Sequence, residues 1–212
     1  AALATKSGRV AMVTTPSNAD DYENGFLLGV NAAKKNVRSF VKYTATESVV
    51  SAKALISLGI DVIYDATTGS ADGLFEAIVK ANTSKNRKKN APEVNLIIVE
   101  PDLYLSVTPA TSKYLIASVV KRVDIAVSAI IGKAVNNSQL SDVIDAKAGI
   151  YGHRYGIGDK GIEIVIKSKA ARSTVGNSTT FLILCFYNYT YLHTFAFTCF
   201  FCSLYKGGFI RT

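Results

Sequence analysis

Apolar residues in this chain follow two alternating rhythms. One is the short unbroken block: Arg9–Thr14 (RVAMVT), Val37–Thr44, Ile60–Tyr64, Val94–Glu100 (VNLIIVE) and Tyr114–Val119. Short blocks rich in β-branched and aromatic residues suit strands buried on both faces. The other rhythm is helical. Phe26, Leu27, Val30 and Ala33 share one face of a helix from about Asp20 to Lys35, with acids in its first turn and lysines in its last, as the helix dipole favours. A second helix, from about Ser48 to Leu58, ends at Gly59, a residue suited to the left-handed position after a helix. A later one, Val123–Val135, places Val123, Ala126, Val127, Ile130 and Ile131 on one side. Ala1–Ser7 reads as the end of a helix stopped at Gly8, and Gly149–Val165 as two short strands with glycine-rich turns.

The stretch Gly59–Lys80 (GIDVIYDATTGSADGLFEAIVK) compresses the pattern into one unit. A strand ends in a small polar loop, Asp65 to Gly73, and Leu74, Phe75, Ile78 and Val79 then open a helix. Such a loop leaves backbone N–H groups at the carboxyl end of the strand, where small ligands sit in open α/β sheets. The whole order, β-α-β-α-β-α-β-β-α, predicts an α/β fold, a three-layer sandwich with a mostly parallel sheet, through about residue 165.

Charge changes this picture little. Of the 24 basic residues in a chain of net charge +8, Lys169, Arg172, Lys206 and Arg211 lie in residues 168–212, which hold no acid. The other 20 stand against all 16 acids, too mild an excess for a nucleic-acid stripe. The cluster Lys85, Arg87, Lys88 and Lys89 reads as a solvated loop. Residues 168–212 look different from the rest. Thr179–Tyr205 contains no Asp, Glu, Lys or Arg and is long enough to cross a bilayer of about 30 Å. Two readings stand: a membrane-associated segment, or a tail foreign to the fold. Cys185, Cys199 and Cys202 all fall there, so no disulfide frames the first 184 residues, and the Cys199–Cys202 pair has no second ligand pair for zinc.

Candidate chemistry collects where strands end. Tyr22 opens the first helix and can stack on a flat ring or stay an ordinary surface tyrosine. Asp65, Thr68 and Gly69 follow the third strand, Glu100 and Asp102 the fourth, and Lys121 the fifth, with Ser118 before it. Asp65 reads more simply as a cap on its own loop. Carboxylates that accept from hydroxyls, a lysine that donates and an aromatic face suit a neutral polar ligand with an aromatic part. The enzyme inventory is thin: two histidines, His153 and His193, and no Walker A, GxGxxG or Gly-x-Ser-x-Gly motif. No cofactor or metal site is called for.

One ordered series carries a resemblance. AALATKSGRVAMV, then YENGFLLGV at Tyr22–Val30, then GIDVIYDATTGSADGLFEA, LIIVEPD and ASVVKRVDIAV at Ala117–Val127 are similar to the basic membrane protein family. These are the purine nucleoside receptor-like substrate-binding lipoproteins of ABC transporters. The resemblance covers roughly residues 1–165. It implies a lobe of a type I periplasmic-binding-protein-like fold, no enzymatic activity, a purine nucleoside or similar ligand, an ABC permease as partner, and a place on the extracytoplasmic face of the cell membrane. It implies that Tyr22 stacks on the base, where the family usually has Phe. Thr68 and Gly69 belong to a glycine-rich ligand loop, Glu100 stands at a ligand-contacting aspartate, and Lys121 reaches the ribose. The chain departs from the family where Ala1 already matches the middle of its sequence. Residues 1–167 therefore read as a partial, truncated or degenerate binding domain without most of its first lobe, and residues 168–212 as the doubtful tail. The competing readings are a phosphate- or nucleotide-dependent α/β enzyme domain using the 67–73 loop, and a membrane-anchored surface protein.

Overall fold

The computed structural model describes residues 1–16, 19–33, 36–44, 48–67, 72–100, 102–136, 156 and 158–166. Five parallel strands, β1 (Arg9–Thr14), β2 (Arg38–Tyr43), β3 (Val62–Ala66), β4 (Asn95–Val99) and β5 (Leu115–Lys121), are joined by β6 (Ile162–Val165), antiparallel to β5. The lateral order is β2-β1-β3-β4-β5-β6. The chain therefore reverses its direction of travel across the sheet between β1 and β3, the kind of point where open α/β sheets hold ligands.

Alternation along the strands sends side chains to two cores. On one face Val10, Met12, Val62, Tyr64, Ile97 and Val119 pack with Phe26 and Val30 of α1 (Ala19–Ala32) and with Ala2. On the other, Ala11, Val13, Ile63, Leu96 and Ile98 pack with Leu55 of α2 (Ser48–Ser57) and with Leu74 and Ile78 of α3 (Asp72–Thr83). Every residue of β3 is buried, as the unbroken apolar run requires. The edge strand β2 instead carries exposed Arg38 and Lys42 on either side of half-buried Phe40 and Val41, charges that discourage its open side from pairing with another chain. The result is the mostly parallel three-layer α/β architecture expected.

The amino end of β3 is fixed by two local devices. Gly59 has φ +78°, and the N–H groups of Gly59 and Ile60 donate to the carbonyls of Ile56 (2.9 Å) and Leu55 (3.3 Å). That is a Schellman ending, with Ile60 and Leu55 in the same core cluster. Asp61 then accepts from the Thr5 hydroxyl (2.5 Å), the Lys6 and Ser7 N–H groups (2.6 and 2.8 Å) and the Ser7 hydroxyl (2.9 Å). The segment Ala1–Thr5 is a helical turn, with Thr5 N–H donating to Ala1 carbonyl, and Gly8 turns the chain out of it at φ +71°.

Three details differ from the sequence pattern. Tyr114 does not begin β5 but ends a short 3-10 turn, Ser112–Tyr114; a second, Leu103–Leu105, follows β4. Asp102 caps the Leu103–Leu105 turn by accepting from Tyr104 N–H at 3.1 Å, and Tyr104 donates to the carbonyls of Leu115 (2.7 Å) and Ile116 (3.0 Å). Finally, α4 (Val123–Val135) forms where its periodicity predicts, yet none of its residues is buried; Val123, Val127, Ile130, Ile131 and Val135 are all exposed. His153, the expected strand near Gly149 and the tail 168–212 lie outside the described residues.

Candidate functional site

Three of the five site residues expected from the sequence meet at the carboxyl ends of the strands: Tyr22, Glu100 and Lys121. Thr68 and Gly69 lie outside the described residues. The meeting follows from topology. Tyr22 sits in the first turns of α1, just after β1. Glu100 is the residue after β4, and Lys121 the last residue of β5. Parallel neighbours in register bring β4 and β5 to the same level, Ile98 beside Ser118 and Val99 beside Val119.

Glu100 is held in an unusual conformation. Its φ is +40°, in the left-handed region where a Cβ is strained, while its N–H donates to the Val119 carbonyl at 3.0 Å. The turn sends the carboxylate onto Lys121. Oε1 accepts from the Lys121 backbone N–H at 3.2 Å, and Oε2 lies 3.5 Å from the Lys121 ammonium. The Tyr22 phenol also lies close enough to Lys121 to act on its charge. Burial alone pushes the Lys121 pKa down, but Tyr22 and then Glu100 outweigh it, and the net shift is upward. The lysine is a cation paired with Glu100.

Beneath Tyr22 lies an aromatic platform that the sequence reading missed. Phe26, one turn along α1, stacks on Tyr64 of β3 with ring centroids 6.0 Å apart and planes 15° from parallel. Burial first, then Tyr22 and Asp65, push the Tyr64 phenol well above its usual range, so it stays neutral. The four-residue spacing of Tyr22 and Phe26 carried that signal, since it puts both rings on one helix face.

On the opposite face of the sheet sit two buried polar groups. Asp65 is paired with Ile98, and Ile98 with Ser118, so the two lie at one level two strands apart, about 10 Å between backbones. Asp65 Oδ1 accepts from the Thr67 N–H (3.0 Å) and hydroxyl (2.7 Å), the capping role its position suggested. Its Oδ2 and the Ser118 hydroxyl have no hydrogen-bond partner among the described residues. Burial raises the Asp65 pKa, although Thr67 pulls the other way.

Among the described residues no three His, Cys, Asp or Glu side chains converge as a metal site would need, and no helix is long and apolar enough to cross a membrane. The described groups at this edge are a part-buried tyrosine, a lysine and the glutamate paired with it.

Residues 1–179 match the family model of PnrA-like ABC transporter substrate-binding proteins (Bmp). The CD4+ T-cell-stimulating antigen of Listeria innocua is 34% identical over 141 residues, and that of Listeria monocytogenes 33% over 141. Each alignment covers 60% of this chain and 38% of the relative, so the chain spans well under half the length of the curated relatives it matches. With most of its length under the family model and its strand-end residues assembled, the chain belongs to the PnrA-like family of ABC transporter substrate-binding proteins.

Proposed function

We propose that this chain binds a neutral purine nucleoside or a close analogue at the carboxyl edge of its sheet, as the ligand-holding part of an ABC-type uptake system on the extracytoplasmic face of the membrane. The observation that carries this is the convergence of Tyr22, Glu100 and Lys121 from three separate segments. In this reading the Tyr22 ring, backed by Phe26 and Tyr64, offers a flat surface to a base. The Lys121 ammonium donates to a sugar hydroxyl. Thr68 and Gly69 bring backbone N–H groups to the same ligand. The binding domain occupies residues 1–167, and an ABC permease receives the ligand. No step of bond making is required of the site.

Thermal unfolding of the chain with and without millimolar inosine, guanosine and adenosine tests this. A ligand that binds only the folded form stabilises it by RT ln(1 + [L]/Kd), about 1.4 kcal/mol at a ligand concentration ten times Kd. The expected result is a raised midpoint with at least one nucleoside, lost in Lys121→Ala. A cooperative transition that no nucleoside moves would overturn the ligand assignment.

A further inference from the structure

Cations crowd the amino edge of the sheet, the end opposite Tyr22, Glu100 and Lys121. Arg9 and Arg38 open β1 and β2 as register partners. Arg9 Nη1 donates to the Leu58 carbonyl at 2.6 Å, and the Leu58 side chain beside it is exposed. Between α3 and β4 the chain makes a closed excursion, residues 84–93. Buried Asn82 clamps its base, donating to the Val94 carbonyl (2.8 Å) and accepting from the Val94 N–H (2.9 Å). Within it, the Arg87 N–H donates to the Ser84 carbonyl at 3.1 Å and the Ala91 N–H to the Lys88 carbonyl at 3.0 Å. The Arg87 guanidinium also donates to the Ala91 carbonyl. Two tight turns therefore fix a loop that presents Lys85, Lys88 and Lys89 to solvent.

Two carboxylates share this edge, and both are engaged. Asp61 is buried under its four hydrogen bonds, one of them from the Lys6 N–H. Glu93 stands 4.0 Å from Lys113. Setting Asp61 against Lys6 and Glu93 against Lys113 leaves Arg9, Arg38, Lys85, Arg87, Lys88 and Lys89, a local charge of +6 from eight cations and two carboxylates. The side chains of Lys85, Lys88 and Lys89 make no hydrogen bond or ion pair among the described residues. The starts of five neighbouring strands form a row about 20 Å wide, and the length of β1 sets that row about 20 Å from the ligand edge.

We propose that this amino edge is a docking face for an anionic lipid surface, which holds the domain with its ligand edge turned away from the bilayer. Anionic headgroups attract each lysine or arginine brought close to them and impose no fixed geometry. Compact, hydrated ammonium groups on flexible stems suit such a partner. Leu58, exposed beside Arg9, adds an apolar contact at headgroup level. A face for single-stranded nucleic acid interleaves stacking rings with its cations. Here Tyr114 is buried, with the Lys113 ammonium 4.8 Å from the centre of its ring. The loop that reads as merely solvated in the sequence is a placed group of charges. The contact is between side chains and headgroups, separate from any covalent lipid, and it does not rest on the nucleoside reading.

The test is co-sedimentation of the whole chain with vesicles of phosphatidylcholine alone and of an equal mixture with phosphatidylglycerol, at low salt and at about 0.5 M salt. Binding is expected to the mixed vesicles only and to be lost at high salt. Lys85→Glu with Lys88→Glu is expected to weaken it by at least about tenfold. The same charge change at the other end of the sheet, Lys42→Glu with Lys160→Glu, is expected to weaken it by about threefold or less. All four lysines are exposed, so the fold tolerates both pairs, as equal melting temperatures would verify. If the loop pair lowers the melting temperature, Lys88→Gln with Lys89→Gln takes its place with the same expectation. Equal binding to the two kinds of vesicle, equal loss in the two variants, or no binding to either vesicle overturns the proposal. Retention on immobilised polyglutamate without vesicle binding assigns the face to an acidic protein and overturns the membrane reading.

Discussion

Asp61 and Asp65 flank the two ends of β3, and both are almost fully buried, 2% and 1% exposed. Their surroundings are opposite. Asp61, at the amino edge of the sheet, accepts four hydrogen bonds spread over both oxygens. Asp65, at the carboxyl edge, has one oxygen served by Thr67 and one without a partner among the described residues, and Ser118 repeats this two strands away. The same edge holds the strained Glu100. In the proposed reading the first edge anchors the fold and the second holds the ligand. Unmet polar groups and left-handed side chains are costs that a purely structural edge removes.

The contrast can be broken by substitution. Asp61→Ala has the largest expected effect: it orphans two backbone N–H groups and frees the Ala1–Ser7 segment, a loss of about 3 kcal/mol in urea unfolding. A loss under about 1 kcal/mol would show that the amino edge is not anchored there. Gly59→Ala comes next. Its Cβ would meet nothing nearer than an Arg9 nitrogen at 3.9 Å, so the cost, about 1 kcal/mol, is that of a left-handed alanine.

At the carboxyl edge the sign reverses. Burial raises the Asp65 pKa above 3.8, so the folded protein binds this proton more tightly than the unfolded chain. Its contribution is therefore best at acidic pH and is lost as pH rises above 3.8 through the folded value. Asp65→Asn keeps the oxygen that Thr67 uses and never ionises. It is expected to stabilise the fold at pH 7 by about 1 kcal/mol, with the gain shrinking as pH falls toward 4, as chemical unfolding at the two pH values can show. Ser118→Ala, which removes a buried hydroxyl with no partner, is expected to change stability by less than about 0.5 kcal/mol in the same assay.

The fold was largely legible because it depends on local signals. Unbroken runs such as VNLIIVE name buried strands, Gly59 names a helix end, and the alternation of elements names a parallel sheet. The strand ends named the site for the same reason: any α/β topology brings Tyr22, Glu100 and Lys121 to one edge. What could not be read was pairwise. No spacing reveals that Glu100 turns left-handed and spends its carboxylate on Lys121, or that Asp102 caps the turn after β4. The ring pair Phe26–Tyr64 joins residues from different elements and appears only when β3 and α1 pack. The apolar stripe of α4 marks the limit of periodicity, which tells which residues share a face and not whether that face is covered.

Hydrogen–deuterium exchange of the whole chain with and without saturating inosine tests the central claim most directly, because it reports both edges at once. The account predicts slowed exchange in peptides that contain Tyr22, Glu100 and Lys121, with no change in those that contain Thr5–Gly8 and Gly59–Asp61. Protection confined to the amino edge, or none at the carboxyl edge under conditions where inosine raises the melting temperature, would contradict it.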